Sequence, residues 1–236
     1  MSIWSHIGNL IEDFRQSEAV SQLVDKVTSV VRGLGSGLDR KQLTFTVAMI
    51  ALSAKMAKAD GVVTQDEILA FQKLFSIPAG EERNVARMFN LAKQDVAGYE
   101  AYARQIAGLY ENDMETLADI LDGLFMIAGA DGVMHNREML YLEHVAEIFG
   151  IPERCFERIS MSHVKPDEQD PYTILEAERS MSDSELKSHY RKLVRENHPD
   201  RLIARGVPEE FVRISTEKLA TINNAWSMIE IERGLR

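Results

Sequence analysis

His198 and Asp200, which flank Pro199 near the C-terminus, are the side chains whose types and spacing most clearly suggest chemistry. A neighbouring imidazole and carboxylate could form part of a hydrolytic site. Such a site also needs a nucleophile that the histidine can activate, and none accompanies this pair. The sequence therefore argues against hydrolysis at this tripeptide, and the surrounding elements must indicate its role.

A basic amphipathic helix is predicted immediately before the tripeptide. Residues 182–185, Ser-Asp-Ser-Glu, form a capping box, so the helix should begin at about residue 183. Proline disfavours the α conformation at the preceding residue, so the helix should end at about Asn197 or His198 and leave His198 and Asp200 exposed at its tip. The apolar face carries Leu186, Tyr190, Leu193 and Val194, and the basic face carries Lys187, Arg191 and Arg195 with Lys192 beside them.

Two further helices are expected around this one. Asp170 is a suitable N-cap and Pro171 a suitable first residue for a short helix that precedes the basic one. A third helix is predicted from Pro208. Packed against the basic helix, it would give two antiparallel helices with a loop at one end. Its apolar residues that can make this contact are Leu219, Ile222, Ala225, Trp226 and Ile229.

With these motifs, residues 170–236 resemble a J-domain, the module of DnaJ-type co-chaperones. The shared features are the opening Asp-Pro-Tyr-x-Ile-Leu, the Leu-Lys-x-x-Tyr-Arg-Lys-Leu helix, the His-Pro-Asp tripeptide and an Ile-Asn-Asn-Ala-Trp segment at residues 222–226. The resemblance implies a protein that is not an enzyme, needs no cofactor, and stimulates ATP hydrolysis by a DnaK-type chaperone. The residues expected to contact that partner are Lys187, Arg191, Lys192, Arg195, His198, Pro199 and Asp200.

The resemblance also assigns roles within this surface. The basic residues would meet an acidic surface of the chaperone and mainly raise the rate of association. Asp200 would accept a charge-assisted hydrogen bond from a cation of the partner. Pro199 would fix the loop, and His198 would orient Asp200 or add a hydrogen bond of its own.

An internal repeat precedes this module. Ala59-Asp60-Gly61-Val62 recurs as residues 130–133. Each copy is followed by a Glu and then by a Phe-x-Ile-Pro segment, at residues 75–78 and 149–152. Apolar helices are predicted before and after each Asp-Gly, and no strand pattern is present, so the expected fold is an all-α bundle. The repeat, over residues 40–160, resembles the TerB-like domain.

The repeated Asp-Gly-x5-Glu matches part of a calcium-binding EF-hand loop, but the first and third positions of such a loop lack carboxylates. An EF-hand is therefore rejected. The favoured interpretation is that Gly61 and Gly132 take up positive φ angles while the acids cap the following helices. A nonstandard metal site shared by Asp60, Glu67, Asp131 and Glu138 stays open as an alternative, although no metal site is assigned.

Residues 161–169 are predicted to be a linker and residues 1–39 to hold amphipathic helices with a Gly-rich end. The order of the two modules resembles the DjlA-like group of J-proteins, some of which carry a membrane anchor that the N-terminus here does not show. Two alternatives remain for the N-terminal helices, contact with a second copy as a homodimer and peripheral contact with the inner membrane.

Charge and cysteine content restrict the location and the partners. The net charge is −10, and residues 1–169 carry nearly all of the excess, so no nucleic-acid partner is expected. The chain has one cysteine and no signal peptide, which indicates a cytoplasmic protein. Two hypotheses follow: a J-domain co-chaperone whose TerB-like domain localises it or selects unknown client proteins, or a stress-response adaptor whose TerB-like domain binds a metal, membrane or protein partner.

Overall fold

The computed structural model describes residues 46, 48–56, 83, 86, 98–165, 167–205 and 212–235, and within these ranges every regular element is helical. The predicted all-α class is confirmed. After a helical segment at residues 48–56, we label the helices α1 (Tyr99–Leu109), α2 (Met114–Ala128), α3 (Asn136–Phe149), α4 (Glu153–Ser162), α5 (Pro171–Ile174), α6 (Asp183–Glu196), α7 (Pro199–Arg205) and α8 (Val212–Glu232).

The first core is built around α2, which is buried on nearly all sides and contacts α3 and α4, while α1 packs on α3. A helix that is mostly hydrophobic belongs in the interior. Its residues Leu121, Leu124 and Phe125 are fully buried, as are Leu142 and Val145 of α3. The segment at residues 48–56 also belongs to this core, and the Tyr141 hydroxyl donates a hydrogen bond of 2.9 Å to the Leu52 carbonyl.

The second Asp-Gly repeat forms the turn between α2 and α3. A short 3-10 helix, Gly129–Asp131, leads into Gly132, whose φ of +83° confirms the predicted positive-φ turn. Glu138 accepts a hydrogen bond of 2.9 Å from the backbone N–H of His135, so it caps α3 as predicted. The corresponding positions of the first repeat, including Asp60, Gly61 and Glu67, lie outside the described residues, as do the predicted N-terminal helices.

The second core joins α5, α6 and α8. Leu186 on α6 and Ile229 on α8 are fully buried, and the ring of Tyr190 stacks on that of Trp226 at a centroid distance of 4.8 Å. The predicted antiparallel pair of helices is therefore present. The start of the third helix at Pro208 lies outside the described residues, and α8 is described from Val212.

Candidate functional site

The basic helix α6 begins at its predicted cap. Ser182 Oγ accepts a hydrogen bond from the Glu185 N–H at 3.4 Å, and the Glu185 carboxylate accepts one from the Ser182 N–H at 2.8 Å. Hydrogen bonds from the side chain and the backbone of Ser182 lower the pKa of Glu185 below its usual value. The capping box therefore fixes where α6 starts and which residues point away from the core.

The inner face of α6 contacts both α8 and the residue that follows α5. Leu186 is buried, and the hydroxyl of Tyr190 donates a hydrogen bond of 3.0 Å to Asn223 on α8. His189 Nε2 lies 2.7 Å from the Leu175 carbonyl oxygen just after α5, so this nitrogen carries the proton that it donates. These contacts prevent α6 from rotating about its own axis and fix the direction of its outer face.

The four basic residues predicted to contact a partner lie together on that outer face, and all four are exposed. They line one shallow groove: Lys187, Arg191, Lys192 and Arg195. Lys192 approaches Glu196 at 3.9 Å, a weak exposed pair. The groove therefore presents a concentration of positive charge to solvent, on a chain whose net charge is −10.

The end of α6 also agrees with the sequence. Glu196 is its last residue, and Asn197 closes it by donating a side-chain hydrogen bond of 2.8 Å to the Leu193 carbonyl. The next side chains are exposed, His198 by 52% and Asp200 by 86%. His198 Nδ1 lies 3.5 Å from the Asp200 carboxylate and accepts a hydrogen bond of 3.3 Å from the Asp200 N–H.

The sequence predicts a loop at the tripeptide, but the structure has a helical turn there. Pro199 and Asp200 form the first turn of the short helix α7, which packs on α8. Proline is favourable at the first position of a helix because it has no N–H to satisfy there, and an acidic residue in the first turn complements the helix dipole. The Asp200 carboxylate is therefore held at a helix start rather than on a flexible segment.

A second group of charged residues was not foreseen from the sequence, and it lies between the two cores. On α2, Asp119 and Asp122 are 2% and 5% exposed. Asp119 Oδ1 lies 3.2 Å from Lys218 Nζ on α8, and Asp122 Oδ1 lies 2.6 Å from His163 Nε2 just after α4. The spacing of these aspartates on an apolar helix was the available signal, but the sequence does not identify their partners.

The pKa of Asp122 reflects this environment. Burial alone would raise it, but the hydrogen bond with His163 and the electrostatic influence of His163, Lys218 and Arg158 outweigh burial, so the pKa is lowered from its usual value. Asp122 is therefore ionised at neutral pH. The groups that stabilise its charge come from α4, from the turn after it and from α8.

Neither a membrane span nor a metal cluster is found among the described residues. No helix in those ranges is long and apolar enough to cross a membrane. In the same ranges, no three His, Cys, Asp or Glu side chains are grouped as metal ligands. For the alternative metal site, the side chain of Asp131 and both acids of the first repeat lie outside the described residues.

Two protein families match the chain. The family of tellurite resistance protein TerB matches residues 46–161, and the DnaJ domain family matches residues 170–231. No solved structure matches it.

Curated relatives match most of the chain. A protein named "Co-chaperone protein DjlA" from Photobacterium profundum is 26% identical over 224 residues, which is 84% of this chain and 81% of the relative. Proteins of the same name from Vibrio cholerae and Coxiella burnetii are 25% and 26% identical, over 86% and 76% of this chain and 83% and 74% of their own lengths. The chain therefore carries a TerB domain followed by a J-domain, and it is similar along most of its length to DjlA co-chaperones.

Proposed function

We propose that this protein binds a DnaK-type chaperone through α6 and the His-Pro-Asp tip and stimulates its ATP hydrolysis, with no covalent chemistry of its own. The observation that carries the proposal is the position of exposed His198 and Asp200 at the end of a capped helix whose outer face is basic. The J-domain match and the name of the relatives support the same function.

The division of labour within this surface follows from the exposure of its residues. Exposed cations act mainly on the rate and orientation of association, because solvent screens them once the complex has formed. Asp200 at the start of α7 offers a carboxylate with free acceptor positions to a cation of the partner. Stimulation requires that this contact favour the chaperone conformation leading to the transition state of hydrolysis.

The TerB domain would localise the protein or select its clients. A cytoplasmic location fits the single cysteine, and contact with a second copy or with the inner-membrane surface would involve the N-terminal segment. The alternative function is a stress-response adaptor that uses its J-domain only to dock on the chaperone. The two functions differ in whether docking is followed by hydrolysis.

A steady-state ATPase assay of a DnaK-type chaperone with the full chain tests the proposal. We expect stimulation by the wild type and its loss in Asp200→Asn, with Asp167→Asn as a control at another exposed aspartate. Binding of the chaperone to the immobilised protein without stimulation of its ATP hydrolysis would instead support the adaptor function.

A further inference from the structure

Helix α8 is shared by the two cores. It is 21 residues long, which corresponds to about 31 Å. Near its start, Ile214 is 1% exposed and belongs to the core of the TerB domain, whereas Ile222 and Ile229 further along belong to the core of the J-domain. The first described turn of α8 therefore packs in the core of the TerB domain, and the rest of the helix packs in the core of the J-domain.

The start of α8 packs closely on α2 at Gly123. A Cβ atom at this glycine would lie 3.1 Å from Ile214 Cδ1 and 2.7 Å from Met49 Cε. One turn further along α8, Lys218 reaches Asp119, which lies one turn before Gly123 on α2. The two contacts run in opposite directions along the helices, so α2 and α8 are antiparallel over this stretch.

The ion pair at this contact is desolvated on both sides. The Lys218 side chain is 10% exposed and the Asp119 side chain 2%. Removing the lysine takes one partner away from a buried carboxylate, which is unfavourable, so the pair favours one register of α8 on α2. The domains are also joined on another side, where Arg158 of α4 pairs with Glu176 at 2.6 Å and Met161 packs on the J-domain core.

Both parts of the chaperone-contact surface depend on α8. Helix α6 and helix α7 each pack on it. A change in the tilt of α8 would therefore alter the position of the His-Pro-Asp tip relative to the basic groove. Because the first turns of α8 are held by α2, the TerB domain determines that tilt.

We propose that Asp119 and Lys218 are positioning residues through which the TerB domain holds α8 in the orientation that makes the J-domain fully active. This inference deepens the proposed function and rests on it. The TerB domain would then orient the J-domain, in addition to localising the protein or selecting its clients. Loss of the pair should reduce the maximal stimulation of the chaperone without weakening docking through the basic groove.

The test uses the full chain and a DnaK-type chaperone, with stimulation measured against the concentration of the J-protein. We expect Lys218→Met to lower the maximal stimulation at least about five-fold while the half-saturating concentration stays unchanged. Lys218→Arg should restore most of the activity because it keeps the charge. Lys165→Met, at an exposed lysine, is the matched control and should behave as the wild type.

Amide hydrogen exchange on the same proteins gives a readout that does not need the chaperone. In Lys218→Met, we expect protection to fall at the start of α8 and in α7 while Ile229 stays protected, which shows that the J-domain core remains folded. Gly123→Val, which displaces Ile214 together with Met49 and changes no charge, should have the same two effects. If Lys218→Met loses protection along the whole chain, and therefore unfolds, Gly123→Val is used for the test in its place.

The outcomes separate the two claims. If the wild type does not stimulate the chaperone, the proposed function fails. If the wild type stimulates and both Lys218→Met and Gly123→Val reach the wild-type maximum, the function stands and the positioning role is overturned. A higher half-saturating concentration with an unchanged maximum would also overturn it, because that result assigns Lys218 to docking.

Discussion

Arg158 Nε lies 2.6 Å from the Glu176 carboxylate, and Glu176 has a backbone φ of +50°. Glu176 follows α5 directly after Leu175, at the junction between the two domains. A left-handed conformation is unfavourable for a residue with a Cβ atom. An ion pair to the neighbouring domain thus accompanies a strained backbone position.

This strain makes a prediction for two substitutions of Glu176. Both Glu176→Ala and Glu176→Gly remove the ion pair, but only glycine relieves the backbone. We expect Glu176→Gly to have a free energy of unfolding about 1 kcal/mol higher than Glu176→Ala, measured by urea denaturation. Equal stability of the two variants would show that the positive φ carries no cost.

The capping box of α6 predicts a local loss of stability. Ser182→Ala removes the hydroxyl that accepts the Glu185 N–H, so the free energy of unfolding should fall by about 1 kcal/mol. Ser188→Ala makes the same change at an exposed position inside α6 and serves as the control. Equal effects of the two substitutions would contradict the role of the cap.

The lowered pKa of Asp122 predicts a dependence of stability on pH. A carboxyl group whose pKa is lower in the folded state stabilises the protein above its unfolded pKa, and that contribution disappears as the pH falls through the folded value. The usual pKa of this group is 3.8, so wild-type stability should fall on acidification below about pH 4.

Asp122→Asn should be less stable at neutral pH and should show a flatter decline below that value. Asp167→Asn, at an exposed aspartate, is the control. Unfolding by urea at a series of pH values would measure the difference in slope. If stability falls with pH at the same slope in Asp122→Asn and in the wild type, the neighbours of Asp122 do not lower its pKa.

The basic groove predicts an effect on association. Arg191→Glu reverses a charge on the outer face of α6 without removing an apolar contact of the core, so the half-saturating concentration for the chaperone should rise about ten-fold at low salt. The difference should shrink as salt is added. Arg154→Glu on the exposed part of α4 is the matched control, and an equal effect there would indicate a general effect of net charge.

The elements around the site could be predicted because their signals are local. The capping box at Ser182 and Glu185, the N-cap at Asp170 and the stop before Pro199 each involve residues within one helical turn. The period of Leu186, Tyr190 and Trp226 likewise predicts which faces meet. Local patterns of this kind persist in the fold because no tertiary contact opposes them.

The contacts between the domains could not be predicted in the same way. Asp119 and Lys218 are 99 residues apart, and the apolar stripe of α8 does not show that Ile214 belongs to a different core from Ile222. Long-range pairing depends on how the domains pack. The helical turn at Pro199 was missed for a different reason, since proline signals both the end of one helix and the start of the next.

The central claim is that the His-Pro-Asp tip triggers hydrolysis in the partner, and a single-turnover experiment tests it most directly. A DnaK-type chaperone loaded with ATP would be mixed with saturating wild type or Asp200→Asn, and the rate of phosphate formation measured. We predict acceleration by the wild type and the basal rate with Asp200→Asn, although the variant keeps its basic groove and still binds. Equal acceleration by both proteins would contradict this account.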